Sequence, residues 1–248
     1  MSKTISIHSY RGGTGKSNIS ANVSYALAAA GKKVCVIDTD IQSPGIHILF
    51  GVNEVKTKTL NDFLWGKATI EEVAVDVSAS VDLPAGKLYL IPCSMNMGDI
   101  TRILKEGYDV KVLNQGFRDI REKLGVDYLI IDTHPGLNEE TLLSIAISDY
   151  LFVILRPDQQ DFQGTSVTVD VAKRLKVKEL FIIVNKCLSY YDPEQIRKKV
   201  EDIYGCPVAA VFPLTEKMVE LGSAGLFFKK FPEEKWSKAI QEVVCKLQ

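Results

Sequence analysis

The chain has 248 residues, of which 46% are hydrophobic and 25% charged, and its formal net charge is −1. These values are ordinary for a soluble globular protein that can bury a large core without disulfides or metals. The near-zero charge excludes a global positive field that would draw the chain to nucleic acid or acidic membranes, but a local basic patch stays open. No window approaches the ~20 apolar residues of a membrane span, and the N-terminus is too polar for a signal peptide.

Cysteine usage indicates a reducing compartment. The chain has five cysteines, Cys35, Cys93, Cys187, Cys206 and Cys245. They form no Cys-x-x-Cys pair, and most of them lie in or beside apolar runs. An odd number of cysteines without metal-ligand spacing favours free thiols in a cytoplasmic protein.

Short runs rich in Val, Ile and Leu alternate with helical patterns along the chain. The runs predict strands buried on both faces at residues 4–8, 33–37, 88–91, 128–131, 150–155, 180–184 and 208–211. The helical patterns predict helices at residues 18–30, 110–124, 138–147, 164–175, 193–204 and 233–247. This alternation predicts an α/β fold with a mostly parallel, doubly wound sheet and helices on both faces.

No repeat or linker divides the chain. Residues 51–84 indicate an insertion of short helices and loops, and Gly31 is placed to end the first helix. We therefore expect a single domain over residues 1–248.

The first predicted strand runs into a glycine-rich loop and then a helix, which is the context of a phosphate-binding loop. Backbone N–H groups of such a loop turn inward around an anion, and the helix N-terminus adds its positive dipole. Lys16 is expected to reach the β- and γ-phosphates, and the Ser17 hydroxyl to bind Mg²⁺. The remaining residues expected at this site are Gly12, Gly13, Thr14, Gly15 and Asn18. A glycine-rich turn that binds nothing is the simpler alternative, and the context disfavours it.

Two further strands end in aspartates. The second strand is followed by Asp38-Thr39-Asp40, and the strand at 128–131 by Asp132-Thr133-His134-Pro135-Gly136. Folds with a phosphate-binding loop hold their magnesium shell with such aspartates. One aspartate alone could be a turn residue or helix cap, but two after a phosphate loop are not explained that way.

Three stretches together resemble the motifs of the MinD/ParA group of deviant Walker A P-loop ATPases: GGTGKS after a basic residue, VIDTDIQSPG and IIDTHPG. The resemblance covers nearly the whole chain. It implies ATP and Mg²⁺ as cofactors, an ATP-dependent homodimer that encloses the nucleotide, and slow ATP hydrolysis. It also implies that hydrolysis is coupled to positioning or segregating a separately encoded cargo or activator protein.

Carried over by position, the resemblance makes Lys16 the phosphate-binding and catalytic lysine and places Ser17 and Asp38 in or beside the magnesium shell. Asp40 becomes the aspartate that orients the attacking water, and we include it in the metal set. Asp132 then ends the Walker B strand.

The same resemblance makes Gly136 the glycine that senses the γ-phosphate. Asn185 would read the adenine edge, and Pro213 would pack near the base. The alternative for Asn185 is a buried structural asparagine.

Two residues depart from the family pattern. Arg11 stands where the family has a lysine that crosses the dimer interface to the partner's phosphates, and we expect Arg11 to make that trans contact. The alternative is that it points to solvent or to an acidic neighbour. His134 interrupts a segment that commonly reads Asp-x-Pro-Pro-Gly, and a polar surface residue without a catalytic role is the favoured interpretation.

The matrix on which the protein would act stays open. The amphipathic C-terminal tail of membrane-binding relatives is not expected, and the aromatic segment 225–231 is expected to pack beneath the last helix. The segment 158–161 is expected to be a polar loop or part of a contact surface. Nonspecific DNA binding would use basic side chains that otherwise form solvated helix faces: Lys173, Arg174, Lys176, Lys178, Arg197, Lys198 and Lys199.

Three other functions share this scaffold. An ATP-binding regulatory protein with little hydrolysis would follow from Arg11, although Asp40 argues against it. A P-loop ligase or synthase of the same superfamily would need an additional substrate pocket. A metal-cluster carrier would need paired cysteines, which the sequence does not supply.

Overall fold

A single sheet forms the centre of the molecule in the computed structural model, which describes residues 2–55 and 57–247. Its eight strands are β1 (Lys3–His8), β2 (Lys33–Asp38), β3 (Val75–Asp76), β4 (Lys87–Ile91), β5 (Tyr128–Asp132), β6 (Tyr150–Leu155), β7 (Glu179–Cys187) and β8 (Val208–Pro213). Their order is β3-β4-β2-β5-β1-β6-β7-β8. All neighbours are parallel except β3, which pairs antiparallel with β4. The predicted fold class is confirmed.

Helices cover both faces of this sheet. They are α1 (Lys16–Ala29), α2 (Ile46–Leu49), α3 (Leu60–Leu64), α4 (Ile70–Val73), α5 (Met97–Glu106), α6 (Val110–Lys123), α7 (Glu139–Ile147), α8 (Gln159–Arg174), α9 (Pro193–Tyr204), α10 (Glu216–Leu221), α11 (Phe227–Lys230) and α12 (Lys235–Cys245). No helix within the described ranges is long and apolar enough to cross a membrane.

The strands are apolar throughout because both of their faces are buried. Val34 and Val36 of β2 pack in the cluster that includes α1 and α12, whereas Cys35 and Ile37 face the opposite cluster with α6. A third cluster lies under α8 and α9. Side chains alternate across a strand, so a continuous apolar run is what two covered faces require.

The start of α8 differs from the prediction. We expected a helix from residue 164 and a polar loop before it, but α8 begins at Gln159. Asp158 is its N-cap and accepts a hydrogen bond from the backbone N–H of Asp161. Gly164 lies inside the helix because the Tyr10 ring packs against it, and a Cβ there would come within 2.2 Å of the ring.

Other boundaries also shift. Strand β7 continues to Cys187, so Asn185 lies inside the strand and not after it. The helix α5, capped by Asn96 at its start and followed by Gly107, was not predicted. The inserted region does hold short helices, as expected, and adds the two-residue strand β3.

The aromatic segment near the C-terminus packs inward, as expected. Leu226 and Phe227 are buried, and the Phe227 ring lies 5.1 Å from that of Trp236 in α12. Phe231 is 4.9 Å from Phe227 and only partly buried. The apolar side chains of this segment thus belong to the core.

Phe227→Ala should therefore lower the free energy of unfolding by about 3–5 kcal/mol, because a fully buried ring leaves a cavity beside Trp236. Urea denaturation measures this change. Leu104→Ala is the control, since that side chain is 60% exposed, and it should change stability by no more than about 0.5 kcal/mol. Equal effects of the two substitutions would contradict the packing described here.

Candidate functional site

The glycine-rich loop joins the end of β1 to the start of α1. Gly13 and Gly15 have φ angles of 75° and 98°, a region that favours glycine. Gly15 is also the N-cap of α1, and no side chain caps the helix there. The first N–H groups of α1 are thus left for an anion, and Lys16, only 7% exposed, opens the helix beside them.

Two buried carboxylates lie at the ends of neighbouring strands next to this loop. Asp38 of β2 pairs in register with Asp132 of β5. Burial, and after it the charge of Asp132, raises the pKa of Asp38 well above its usual range. The backbone N–H groups of Asp40 and Gly45 donate to the Asp38 carboxylate at 3.0 and 3.3 Å.

Asp132 also contacts the first turns of α1. Its Oδ1 accepts a hydrogen bond from Ser20 Oγ at 2.8 Å. Burial raises the pKa of Asp132 to about 6, although Lys16 and the hydroxyls of Ser17 and Ser20 favour its charged form. The sequence predicts Asp132 at the end of the strand but not in the metal set, and the structure places it beside Ser17, the predicted magnesium ligand.

These oxygen donors fit a hard cation such as Mg²⁺, which prefers carboxylate, hydroxyl and phosphate oxygens. Burial raises the pKa values of both carboxyl groups, in Asp132 despite the charge of Lys16, and a bound cation would favour their charged forms. Among the described residues, no group of three or more His, Cys, Asp or Glu side chains could hold a metal alone. A magnesium site built from Ser17, phosphate oxygens and water needs no such group.

The loops after β2 and β5 meet at Asp40 and His134. His134 Nδ1 lies 2.7 Å from Asp40 Oδ1, and the hydrogen bond between them raises the pKa of His134 above its usual value. Gly136, with φ 86°, donates its N–H to the carbonyl of Ser9 at 3.1 Å. The predicted γ-phosphate sensor therefore sits directly against the start of the phosphate loop.

A cavity of about 330 Å³ opens beside the loop and brings together several predicted residues. Asn18, Asn185 and Pro213 all line it, together with Gly13 and Gly15. Its size suits a planar base. The sequence separates these residues by almost 200 positions, and the carboxyl ends of β1, β7 and β8 bring them to one place.

Asn185 is held on both sides of its amide. Its Nδ2 donates to the carbonyl of Thr14 at 2.7 Å, and its Oδ1 accepts from the N–H of Lys186 at 2.9 Å. These contacts match the structural alternative for Asn185 and leave the reading of adenine a prediction. Lys186 Nζ donates to the carbonyl of Gly13 at 2.8 Å. Sequence reasoning missed Lys186, although its position directly after Asn185 could have pointed to it.

Arg11 lies at the rim of the site with an acidic neighbour. Its guanidinium is 3.4 Å from Asp161 and 3.8 Å from Asp158, and its side chain is 40% exposed. Asp161 is buried and accepts three hydrogen bonds from Arg156. In the single chain, Arg11 therefore contacts an acidic neighbour, which is the alternative interpretation of this residue. Its contact with a partner's phosphate stays a prediction.

The basic groups considered for DNA are partly engaged within the chain. Lys173 donates to a backbone carbonyl, Lys178 and Arg197 pair with carboxylates, and Lys199 lies over an aromatic ring. Nonspecific DNA binding thus stays a prediction, and fewer of these basic side chains are available for phosphate contacts than the sequence alone suggests.

The three glycines of the loop should respond in a graded way to alanine. Gly12→Ala should be nearly neutral in the free energy of unfolding, because its Cβ would meet only Pro135 at 3.9 Å. Gly13→Ala should cost about 1–2 kcal/mol for its positive φ alone. Gly15→Ala should cost more, because its Cβ would also lie 2.4 Å from Asn185 Nδ2.

Urea denaturation without nucleotide checks this order and separates it from effects on ligand binding. A Gly15→Ala variant as stable as Gly12→Ala would contradict the close packing of Asn185 against Gly15.

Known proteins resemble the chain over most of its length. Residues 2–186 match the family described as AAA domain. An uncharacterized ATP-binding protein of Methanocaldococcus jannaschii is 34% identical over 248 residues, which cover 100% of this chain and 88% of that protein. The flagellum site-determining protein YlxH of Helicobacter pylori is 32% identical over 185 residues, 74% of this chain and 58% of that protein.

A solved structure shows the same fold. The septum site-determining protein MinD of Pyrococcus horikoshii, complexed with Mg-ADP, superposes with a TM-score of 0.83 at 24% identity, covering 100% of this chain and 96% of that one. ATP and Mg²⁺ are the cofactors of this group of ATPases. The matches to family, relatives and fold show that the chain belongs to the MinD/ParA family of P-loop ATPases, whose members position or partition other cellular components.

Proposed function

We propose that residues 1–248 form a single P-loop ATPase domain that binds and hydrolyses ATP, dimerises when ATP is bound, and thereby positions a partner. The observation that carries this proposal is the convergence of Lys16, Asp38, Asp132 and Asp40 around one loop at the carboxyl edge of the sheet. A site with both a phosphate cradle and a water-orienting carboxylate supports hydrolysis better than binding alone.

In this proposal the residues have distinct tasks. The loop N–H groups and Lys16 bind the phosphates, and Ser17 with Asp38 and Asp132 holds the magnesium shell. Asp40 orients the attacking water. Mg²⁺, when bound, would neutralise part of the charge that develops on the phosphate oxygens.

The remaining predicted residues frame the nucleotide. Gly136 senses the γ-phosphate from its place against Ser9, and Asn18, Asn185 and Pro213 form the wall of the base pocket. These roles follow from position in the family pattern and from the cavity that the residues share.

Positioning is proposed from the kind of relatives that the chain matches. Two of them are named for determining a site, one for the flagellum and one for the septum. We propose the same class of activity here, acting on a separately encoded cargo or activator in the cytoplasm.

One observation favours a second candidate function. Arg11 already pairs with Asp161 and Asp158 of its own chain. If it stays there when ATP is bound, the protein would be an ATP-binding regulator with little hydrolysis.

Asp40→Ala should bind Mg-ATP and accumulate as a dimer, because removing the water-orienting carboxylate blocks the step that ends the dimeric state. Size-exclusion chromatography with light scattering should give twice the 27.5 kDa chain mass with Mg-ATP and the monomer mass with Mg-ADP. Wild type with Mg-ATP is the control and should return to monomer as ATP is consumed. Monomers under all conditions would refute the dimerising switch.

Arg11→Ala should lower ATP turnover by at least about tenfold if Arg11 contacts the partner's phosphate, because charge-assisted contacts to transferring phosphates are strong. Arg11→Lys should keep more of the turnover, since it keeps the charge but not the forked geometry. Steady-state phosphate release measures both rates.

Asp158→Asn is the matched control, because it weakens the intrachain contact of Arg11 and leaves Arg11 itself in place. It should leave turnover unchanged or raise it. Unchanged turnover and dimerisation in Arg11→Ala would refute the trans role and leave hydrolysis to Lys16 and Asp40. Wild type that binds ATP with almost no turnover would favour the regulator.

A further inference from the structure

The contact between Asp40 and His134 joins two loops that the sequence separates by 94 positions. The loop after β2 carries Asp40, and the loop after β5 carries His134. Their side chains are 18% and 21% exposed, so the pair lies at the surface of the site and not in the core. The family pattern gives no role to a histidine at this place.

The direction of the hydrogen bond follows from the chemistry of the partners. A carboxylate only accepts, so His134 Nδ1–H donates to Asp40 Oδ1. The N–H of Ser43 donates to the same oxygen at 3.2 Å. Within the described part of the chain no hydrogen bond reaches Oδ2, so that oxygen is the one left to orient water.

His134 is itself held in place from both sides. Before it, the Thr133 hydroxyl donates to the carbonyl of Ile7 in β1 at 3.0 Å. After it, Gly136 donates its N–H to the carbonyl of Ser9. The backbone on both sides of His134 is therefore held next to β1 and the start of the phosphate loop, and the hydrogen bond of the imidazole links Asp40 to that position.

Asp40 is anchored to the sheet through its backbone, whose N–H donates to the Asp38 carboxylate at 3.0 Å, but its side chain forms no hydrogen bond with any strand that the structure describes. It lies two residues beyond the end of β2, where Asp40 and Ser43 form a turn through the hydrogen bond between Ser43 N–H and the Asp40 carbonyl. A side chain on a turn samples several rotamers unless a partner selects one. Two partners select it here: the backbone N–H of Ser43 at 3.2 Å and, closer, the imidazole of His134 at 2.7 Å, which is the side-chain partner.

We propose that His134 is a positioning residue for ATP hydrolysis, which holds the Asp40 carboxylate by Oδ1 and directs Oδ2 toward the attacking water. This inference rests on the proposed ATPase function. It assigns the hydrolytic geometry of the site to a pair, where the family pattern supplies the aspartate alone.

The test compares His134→Ala with His134→Asn. Asparagine places an Nδ2–H donor near the position of the imidazole Nδ1–H, and alanine places none. His134→Ala should lower kcat by about tenfold, equivalent to about 1.4 kcal/mol, with KM and ATP affinity within about twofold of wild type. His134→Asn should recover kcat to within about threefold of wild type.

A double substitution separates positioning from an independent effect. His134→Ala should cause no additional loss in an Asp40→Ala background, because its effect passes through Asp40. A further tenfold loss there, or equal losses in the alanine and asparagine variants with a raised KM, would overturn the inference.

A second readout needs no turnover. The chain has three histidines, so the imidazole N–H signals can be assigned by nuclear magnetic resonance through single substitutions. A downfield His134 Nδ1–H signal should be present in the nucleotide-free protein and vanish in Asp40→Ala. Its absence from wild type would overturn the inference.

The two proposals fail in different ways. Wild type without magnesium-dependent ATP turnover refutes the ATPase function, and this role with it, before any variant is compared. Wild-type turnover that is unchanged in His134→Ala refutes only the role of His134.

Discussion

Parallel pairing of β5 with both β1 and β2 is the constraint on which the site depends. It sets Ile7 opposite Asp132 on one side and Asp38 opposite Asp132 on the other. Parallel strands end at the same edge, so the phosphate loop and the loops with Asp40 and His134 start side by side. A slip of one residue would turn Asp132 or Asp38 to the other face of the sheet. The register of three strands therefore determines the chemistry.

The same register gathers two carboxyl groups in a buried place. The pKa of Asp38 is raised well above the usual range and that of Asp132 to about 6. An aspartate whose pKa rises on folding makes the folded state less stable as pH increases from its unfolded pKa toward its folded one. At neutral pH the pair therefore opposes folding, and the cation that the proposed function requires would offset that cost by binding only the folded chain.

The sequence predicts those parts that depend on burial and short-range motif. The strand ending in Asp132 is continuous in apolar residues, and the loop before Lys16 carries its glycines at a fixed spacing. The start of α8 was mispredicted because Gly164 looks like a helix boundary, whereas a ring from another loop requires the glycine inside the helix. Helix α5 carried readable signals in Asn96 and Gly107. The hydrogen bond between Asp40 and His134 had none, because it depends on the distance between two loops.

Under the proposed function, a partner's phosphate would compete with the intrachain contact of Arg11. The Asp161 carboxylate already accepts hydrogen bonds from Nε and from the backbone N–H of Arg156, both at 2.9 Å. The hydrogen bond from Arg11, at 3.4 Å, is longer and is added to a carboxylate that already has a cationic partner. The second contact, to Asp158, is exposed on both sides, and exposed ion pairs contribute about 0–1 kcal/mol. A phosphate offers shorter, forked, charge-assisted hydrogen bonds. Arg11 can leave without disturbing the pair of Arg156 and Asp161 that supports the start of α8, so the acidic pair is better understood as a resting place for Arg11 than as its site of action.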